Sequence, residues 1–211
     1  MHSIVSLFTT YLPYFILVLT LAIFDMSAYW FTYSWLPEYL REERGLSIAK
    51  SATWVMVIQT GGFLGYATFG FVADSLGRRP AYSIYAVFWA VGLTMITLLW
   101  SSVVAIPALL LGFMFLVGFG TGMFGGYGPL FSELFPTRIR NTAMGAAFNV
   151  ARGVQFFTPV VIALVAEQFR LSGGIFLAAV FAVLTGVWIW TFPETKGRRI
   201  VDEEPSVPAP V

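Results

Sequence analysis

From Pro80 to Ser132 the chain carries no charged side chain. Residues 51–73 and 171–193 are two further uncharged runs of 23 residues. A helix of about 20 apolar residues crosses the ~30 Å hydrocarbon core of a bilayer. Of the 211 residues 58% are hydrophobic and 11% charged, with a mean hydropathy of +0.79, whereas a soluble surface needs roughly 25% charged residues. The solvent of this chain is therefore lipid. Backbone polar groups in lipid must be satisfied within the chain, and the short alternating segments of a barrel are absent, so the spans are helices. We place them at 12–36, 51–73, 80–100, 103–131, 141–166 and 171–192. The expected fold is an all-α membrane protein with six transmembrane helices, one domain over 1–193 and a tail over 194–211. The stretch 201–211, acidic and then proline-rich, reads as disordered.

The first span lacks the basic flank of a cleavable signal peptide, so the chain is expected to carry its own topogenic signals. An even number of spans puts both termini on one side. That side holds Arg78, Arg79, Arg138, Arg140, Lys196, Arg198 and Arg199, against Arg41, Arg44, Lys50 and Arg170 on the other. The bias predicts a multi-pass protein of the plasma (inner) membrane with both termini cytoplasmic. Trp35, Tyr39, Trp54, Trp100, Trp188 and Trp190 fall near predicted span ends, where amphipathic rings favour the headgroup zone. A net charge of +1 without a basic stripe argues against a nucleic-acid partner. The absence of cysteine removes disulfides and thiolate chemistry. His2 is single and terminal, no catalytic triad or phosphate loop is present, and neither a cofactor nor a metal is expected, so the chain reads as a non-enzyme.

Three loop segments carry a resemblance. Gly70, Asp74, Gly77, Arg78 and Arg79 are spaced as in the loop signature of the major facilitator superfamily, and they lie between the second and third helices of a six-helix unit, where that family has it. The segment Glu133 to Arg140, with Pro136 and Arg138, is similar to the acid-proline-arginine loop between that family's tenth and eleventh helices. Pro193 to Arg198 is similar to the motif after its twelfth, best known in sugar porters. The resemblance covers nearly the whole chain, but only the second half of that fold, helices seven to twelve. It implies a secondary transporter half, whose substrate path would run against a missing N-terminal six-helix half. The chain is then a fragment, a truncated product or a half that pairs.

The loop residues admit two readings. By the family's pattern Gly70, Asp74, Gly77, Arg78 and Arg79 form a conformational latch, with Glu133, Arg138, Arg140 and Glu194 completing it. The glycines would allow close approach and a tight turn, and the arginines would bind carboxylates or helix C-termini. The plainer reading makes Arg78 and Arg79 topology signals solvated by water and lipid phosphate.

Asp25 and Arg152 sit deep in the first and fifth spans, roughly 16–20 Å from an end at 1.5 Å per residue. A charge at that depth costs about 2.5–3.5 kcal/mol on insertion scales and commonly marks a functional path. Asp25 shares a helical face with Tyr29, Thr32 and Tyr33, and Arg152 shares one with Gly145, Asn149 and Phe156. The two stripes could line one cavity, or Asp25 and Arg152 could pair to hold two helices together. Arginine binds carboxylates as a planar fork, so a small organic anion is the expected substrate, and a membrane-buried aspartate would serve as the proton carrier of a symporter. Gln59 and Gln155 offer hydrogen bonds either to substrate or between helices. A sugar porter and a non-transporting assembly partner derived from a split carrier are the alternatives. The glycines from Gly118 to Gly128, followed by Pro129, suggest either close packing or a bending helix, with a kink at Pro129.

Overall fold

A computed structural model of the chain describes residues 7–196. His2, Arg198, Arg199 and the stretch 201–211 lie outside the described residues. The described regular structure is helical throughout. Helix α1 spans Leu12–Tyr33, and short turns at Leu36–Glu38 and Tyr39–Glu43 lead from it to α2, Ile48–Leu76. Ser47 caps α2, its hydroxyl accepting from the Lys50 N–H at 3.3 Å. Helix α3 runs Arg78–Thr97 and α4 Pro107–Gly120, the latter opening on proline, whose missing N–H is no loss in a first turn. A 3₁₀ segment, Thr121–Gly126, joins α4 to α5, Tyr127–Leu134. Helix α6 is Thr137–Val154, and α7, Thr158–Trp188, follows a 3₁₀ turn at Gln155–Phe157.

Five stretches are long and apolar enough to cross a membrane: Leu12–Glu43, Ile48–Leu76, Arg78–Thr97, Pro107–Leu134 and Thr137–Thr191. The last has 55 residues, which as one straight helix would be ~80 Å long, more than twice the hydrocarbon thickness. It is broken at Arg170, whose backbone is non-helical at φ 61°, ψ −178°. The arms fold back there: a methyl group on Gly174 would lie 3.2 Å from Cγ2 of Ile162, twelve residues earlier, where a straight helix would set the two ~18 Å apart. The fifth stretch therefore holds two helical arms on either side of Arg170, where the sequence expects two separate spans.

Helix α4 is the hub, lying against both α2 and α3, while α7 lies against α3 and α1, and α1 also meets α6. Between lipid-soluble helices no hydrophobic drive remains, so contact depends on close fit and small residues. Gly118 faces the carbonyl of Ile58, Gly61 that of Phe115, and Gly122 the backbone of Gly65. These glycines serve packing of α2 on α4. The expected kink at Pro129 is not where the helix changes: the irregularity lies upstream, at Thr121–Gly126, because proline in the first turn of α5 removes no needed bond. Gly118→Ala is expected to destabilise the bundle by about 1–3 kcal/mol, since its new methyl meets backbone that cannot yield. Gly128→Ala has open space around it and should be stabilising by roughly 0.5–1 kcal/mol through helix propensity. Thermal unfolding in detergent micelles, followed by circular dichroism, separates the two; equal shifts would refute this packing account.

Candidate functional site

The first polar cluster occupies the face that bears Asp74 to Arg79. Gly77 ends α2 and caps α3 at φ 107°, ψ 163°, a conformation open to glycine alone. The resulting turn points Arg78 across the bundle. Its Nη1 donates to Asp74 Oδ1 at 2.7 Å, and its Nη2 to Glu133 Oε1 at 2.7 Å, with Nε 3.2 Å from the same oxygen. The surroundings of the two acids differ: Glu133 is 9% exposed at its side chain and Asp74 72%. Thr195 donates its hydroxyl to Glu133, tying in the segment after α7.

Glu194 supplies what α3 lacks. No side chain of the turn itself caps α3, so its first N–H groups need an acceptor from elsewhere. The Glu194 carboxylate accepts from Arg78 N at 2.9 Å, Arg79 N at 3.2 Å, Thr195 N at 3.0 Å and Lys196 N at 3.1 Å. A Cβ on Gly77 would stand 2.9 Å from that carboxylate, a second reason for glycine. Partial burial pushes the Glu194 carboxyl up, but the four backbone donors outweigh it and hold the group below its ordinary range. A lowered folded value means that this stabilisation is present above the unfolded value of about 4.3 and is lost as pH falls through the folded one. Acid titration of the melting temperature should therefore fall below about pH 4, and Glu194→Gln should flatten that fall; an unchanged profile in Glu194→Gln would refute the assignment.

Arg79 donates from both Nε and Nη2 to the Phe192 carbonyl, and Lys196 reaches the Ser75 carbonyl. Arg140 stays within its own loop, on Ser132 O at 3.3 Å and Thr137 Oγ1 at 3.5 Å. Arg138 is exposed and makes no ion pair among the described residues. Gly70 has nothing within 4 Å of a would-be Cβ, so it is not a close-approach point within this bundle. The geometry is thus a clamp inside one six-helix unit, joining α2, α3, α5 and the segment following α7.

The second cluster lies in mid-bundle. Asp25 is fully buried, and neither carboxylate oxygen has a hydrogen-bond partner. The Tyr127 hydroxyl is close enough to act on it but falls short of hydrogen-bond geometry. Around it Tyr29 stacks on Tyr33 with centroids 4.5 Å apart, and Tyr29 meets Phe124 edge-on at 5.6 Å. Thr32 turns away, its hydroxyl donating to Ala28 O at 2.8 Å. Arg152 is on the open surface of α6 beside exposed Asn149 and Phe156, and it forms no ion pair with Asp25. The pairing alternative is therefore overturned: α6 meets α1 through its alanine face, Ala143, Ala147 and Ala151, and Arg152 lies off that face. Asn149 donates to Gly145 O at 2.7 Å. Gln155 is buried, its Nε2 3.1 Å from Ser27 Oγ and from Ala151 O, while Thr158 donates to its Oε1 at 3.0 Å. It joins α6 to α1. Gln59 is exposed on α2.

Sequence reasoning missed Tyr82, Tyr127 and Trp89, whose buried polar atoms also lack partners. Tyr82, one turn beyond Arg78, was findable by its spacing; Tyr127 and Trp89 gave no signal in a run of aromatics. It also missed a brace on the opposite face. There Arg44 sits 5.0 Å from the centroids of both Tyr39 and Trp100 and donates to Tyr39 OH at 2.6 Å and Thr97 O at 2.8 Å. Next to it Glu43 accepts from the Ser172 N–H at 2.9 Å, beside the break at Arg170.

A bundle of apolar helices long enough to cross a bilayer, with a charged clamp on one face and an unpaired carboxylate buried among the helices, is the architecture of a multi-pass membrane protein. The sequence model of the Major Facilitator Superfamily matches residues 7–211, and the chain belongs to that family. It is 34% identical over 167 residues to the "Putative metabolite transport protein" of Haemophilus influenzae, covering 79% of this chain and 40% of that one. It is 33% identical over 173 residues to the "Cis,cis-muconate transport protein" of Acinetobacter baylyi, at 82% and 41%, and 28% identical over 184 residues to the "Proline/betaine transporter" of Escherichia coli K12, at 84% and 36%. The chain thus spans about two fifths of the length of these relatives.

Proposed function

We propose that this chain is the carboxy-terminal half, helices seven to twelve, of a secondary active carrier that moves a small organic acid together with a proton across the plasma membrane. The termini face the cytoplasm, and an N-terminal six-helix half completes the path. The observation that carries this reading is Asp25, a carboxylate held in mid-bundle without a partner in a chain of a transporter family. Arg152 and Asn149, on the open face of α6, suit a carboxylate arriving from the side of the missing half. The muconate carrier among the relatives supports an organic anion.

The segment that suggested a sugar porter is engaged in capping α3 through Glu194, so it lends a hydroxylated substrate no particular weight. A pure assembly partner would have reason to keep both Asp25 and Arg152 only as a pair, and they are not paired. The test is uptake of labelled dicarboxylates in liposomes by this chain co-reconstituted with an N-terminal half. Arg152→Lys keeps the charge but loses the planar fork, and should raise KM roughly tenfold, as for a lost charge-assisted hydrogen bond of about 1–3 kcal/mol. An unchanged KM, or preference for sugars over carboxylates, would refute the assignment.

A further inference from the structure

A groove runs along the crossing of α3 and α7. Ser83, Ala86 and Val87 form one wall, and Val183, Gly186, Val187 and Trp190 the other, around a volume of about 340 Å³. Close approach makes its floor: a methyl group on Gly186 would lie 2.8 Å from Cβ of Ala86. Its polar side chains satisfy one another, since Ser83 Oγ donates to Gly186 O at 2.7 Å and accepts from Trp190 Nε1 at 2.8 Å. A water there would find no partner. Val87, Val183, Val187 and Trp190 are exposed, on stretches long and apolar enough to span a bilayer. Packing contacts order the helices α6, α1, α7, α3, α4, α2, so the crossing lies away from the open stripe of Arg152 and Asn149 on α6. In a bilayer such a groove takes up hydrocarbon.

One end of the groove is charged. Arg79 precedes Ser83 by one turn on the same face of α3, and its Nε and Nη2 donate to the carbonyl of Phe192, just beyond Trp190. Both walls therefore lead to this guanidinium. Among the described residues no carboxylate pairs with it, whereas its neighbour Arg78 has both Asp74 and Glu133. Lys196 is close by: its backbone N–H and that of Arg79 share the Glu194 carboxylate. Its ammonium, too, has no acidic partner among the described residues. The bond to Phe192 occupies one edge of the Arg79 fork and leaves the terminal edge, Nη1 and Nη2, free to hold a phosphate by parallel N–H bonds.

We propose that this groove binds one anionic phospholipid from the leaflet beside the charged clamp. Its phosphate sits on Arg79 and Lys196, and one acyl chain lies between residues 83–87 and 183–190. Charge selects the headgroup, as in other basic pockets between spans, and the apolar walls select a lipid over a free anion. Arg78 and Arg79, adjacent in sequence, thus divide their work. Arg78 is held by the acids of the bundle, and Arg79 is left to an acid of the membrane.

The experiment is native mass spectrometry of the purified chain released from non-ionic micelles, titrated with phosphatidylglycerol or with phosphatidylcholine of the same acyl chains. The parent should retain one phosphatidylglycerol about tenfold more strongly than phosphatidylcholine, as for a charge-assisted hydrogen bond gained. Arg79→Gln, whose amide can still donate to the Phe192 carbonyl, should lower the first to the level of the second. Val187→Trp fills the groove from an exposed position and should cut retention of both lipids severalfold. Inorganic phosphate in excess should leave the bound lipid in place. Equal retention of the two lipids by the parent, which needs no variant to fold, would overturn the proposal. Parent-like retention in either variant would overturn it as well. So would displacement by inorganic phosphate, which would reduce the cations to a surface anion site without the groove.

Discussion

Arg78→Ala is expected to lower the stability of the bundle by on the order of 3 kcal/mol, whereas Asp74→Ala should change it by less than about 1 kcal/mol. Both residues belong to one ion-pair system, but burial decides which half matters. Glu133 keeps 9% of its side chain exposed, so removing its guanidinium leaves a carboxylate largely out of water with only Thr195 to bond it, and breaking a buried pair costs about 3–5 kcal/mol. Asp74 is 72% exposed, and water replaces its partner, as for surface pairs generally. Glu133→Gln should fall between, because the amide oxygen still accepts from Arg78. Thermal or denaturant unfolding in micelles reads the order, and Asp74→Ala matching Arg78→Ala would show that the clamp is a surface charge effect. In the reassembled carrier the same ranking should appear in turnover, with substrate affinity little moved, since the clamp biases states and does not touch substrate.

Asp25→Asn is expected to abolish accumulation of substrate against its gradient in liposomes carrying both halves under an imposed proton gradient. Exchange of internal for external substrate should persist, because exchange moves no net proton. The substitution keeps shape and volume and removes a carboxylate that has no partner, so the melting temperature should stay level or rise. This combination separates a coupling role from a folding one. Retained accumulation in Asp25→Asn would refute proton carriage at this position, and a lowered melting temperature would point to a structural carboxylate.

Hydropathy alone was enough for the class of fold, because the chain must satisfy its backbone within each span whatever its neighbours do. The loop residues Asp74, Arg78, Glu133 and Glu194 were also legible in the sequence, since turn chemistry and charge placement are local. Other features depended on which helix face meets which neighbour, a property of the assembled bundle. The α6 periodicity put Arg152 and Asn149 on one stripe but could not say that alanines take the α1 contact and leave that stripe open. Gln155, one residue short of Phe156, falls on the buried side and becomes a helix tie. The break at Arg170 falls in the charged connection that the sequence leaves between the spans 141–166 and 171–192, but the Glu43 carboxylate and the return of Gly174 onto Ile162 accompany it only in the folded chain. Tyr82 and Tyr127 stand 45 residues apart in a stretch without charge. Their hydroxyls were indistinguishable there from any aromatic at a membrane depth, and only the folded bundle brings the two rings together, edge to face at 6.4 Å. The sequence by itself determined that the chain spans lipid and where its charges stand along it; the tertiary structure decided which of those charges lose water, because burial is conferred by neighbours that the linear order does not name.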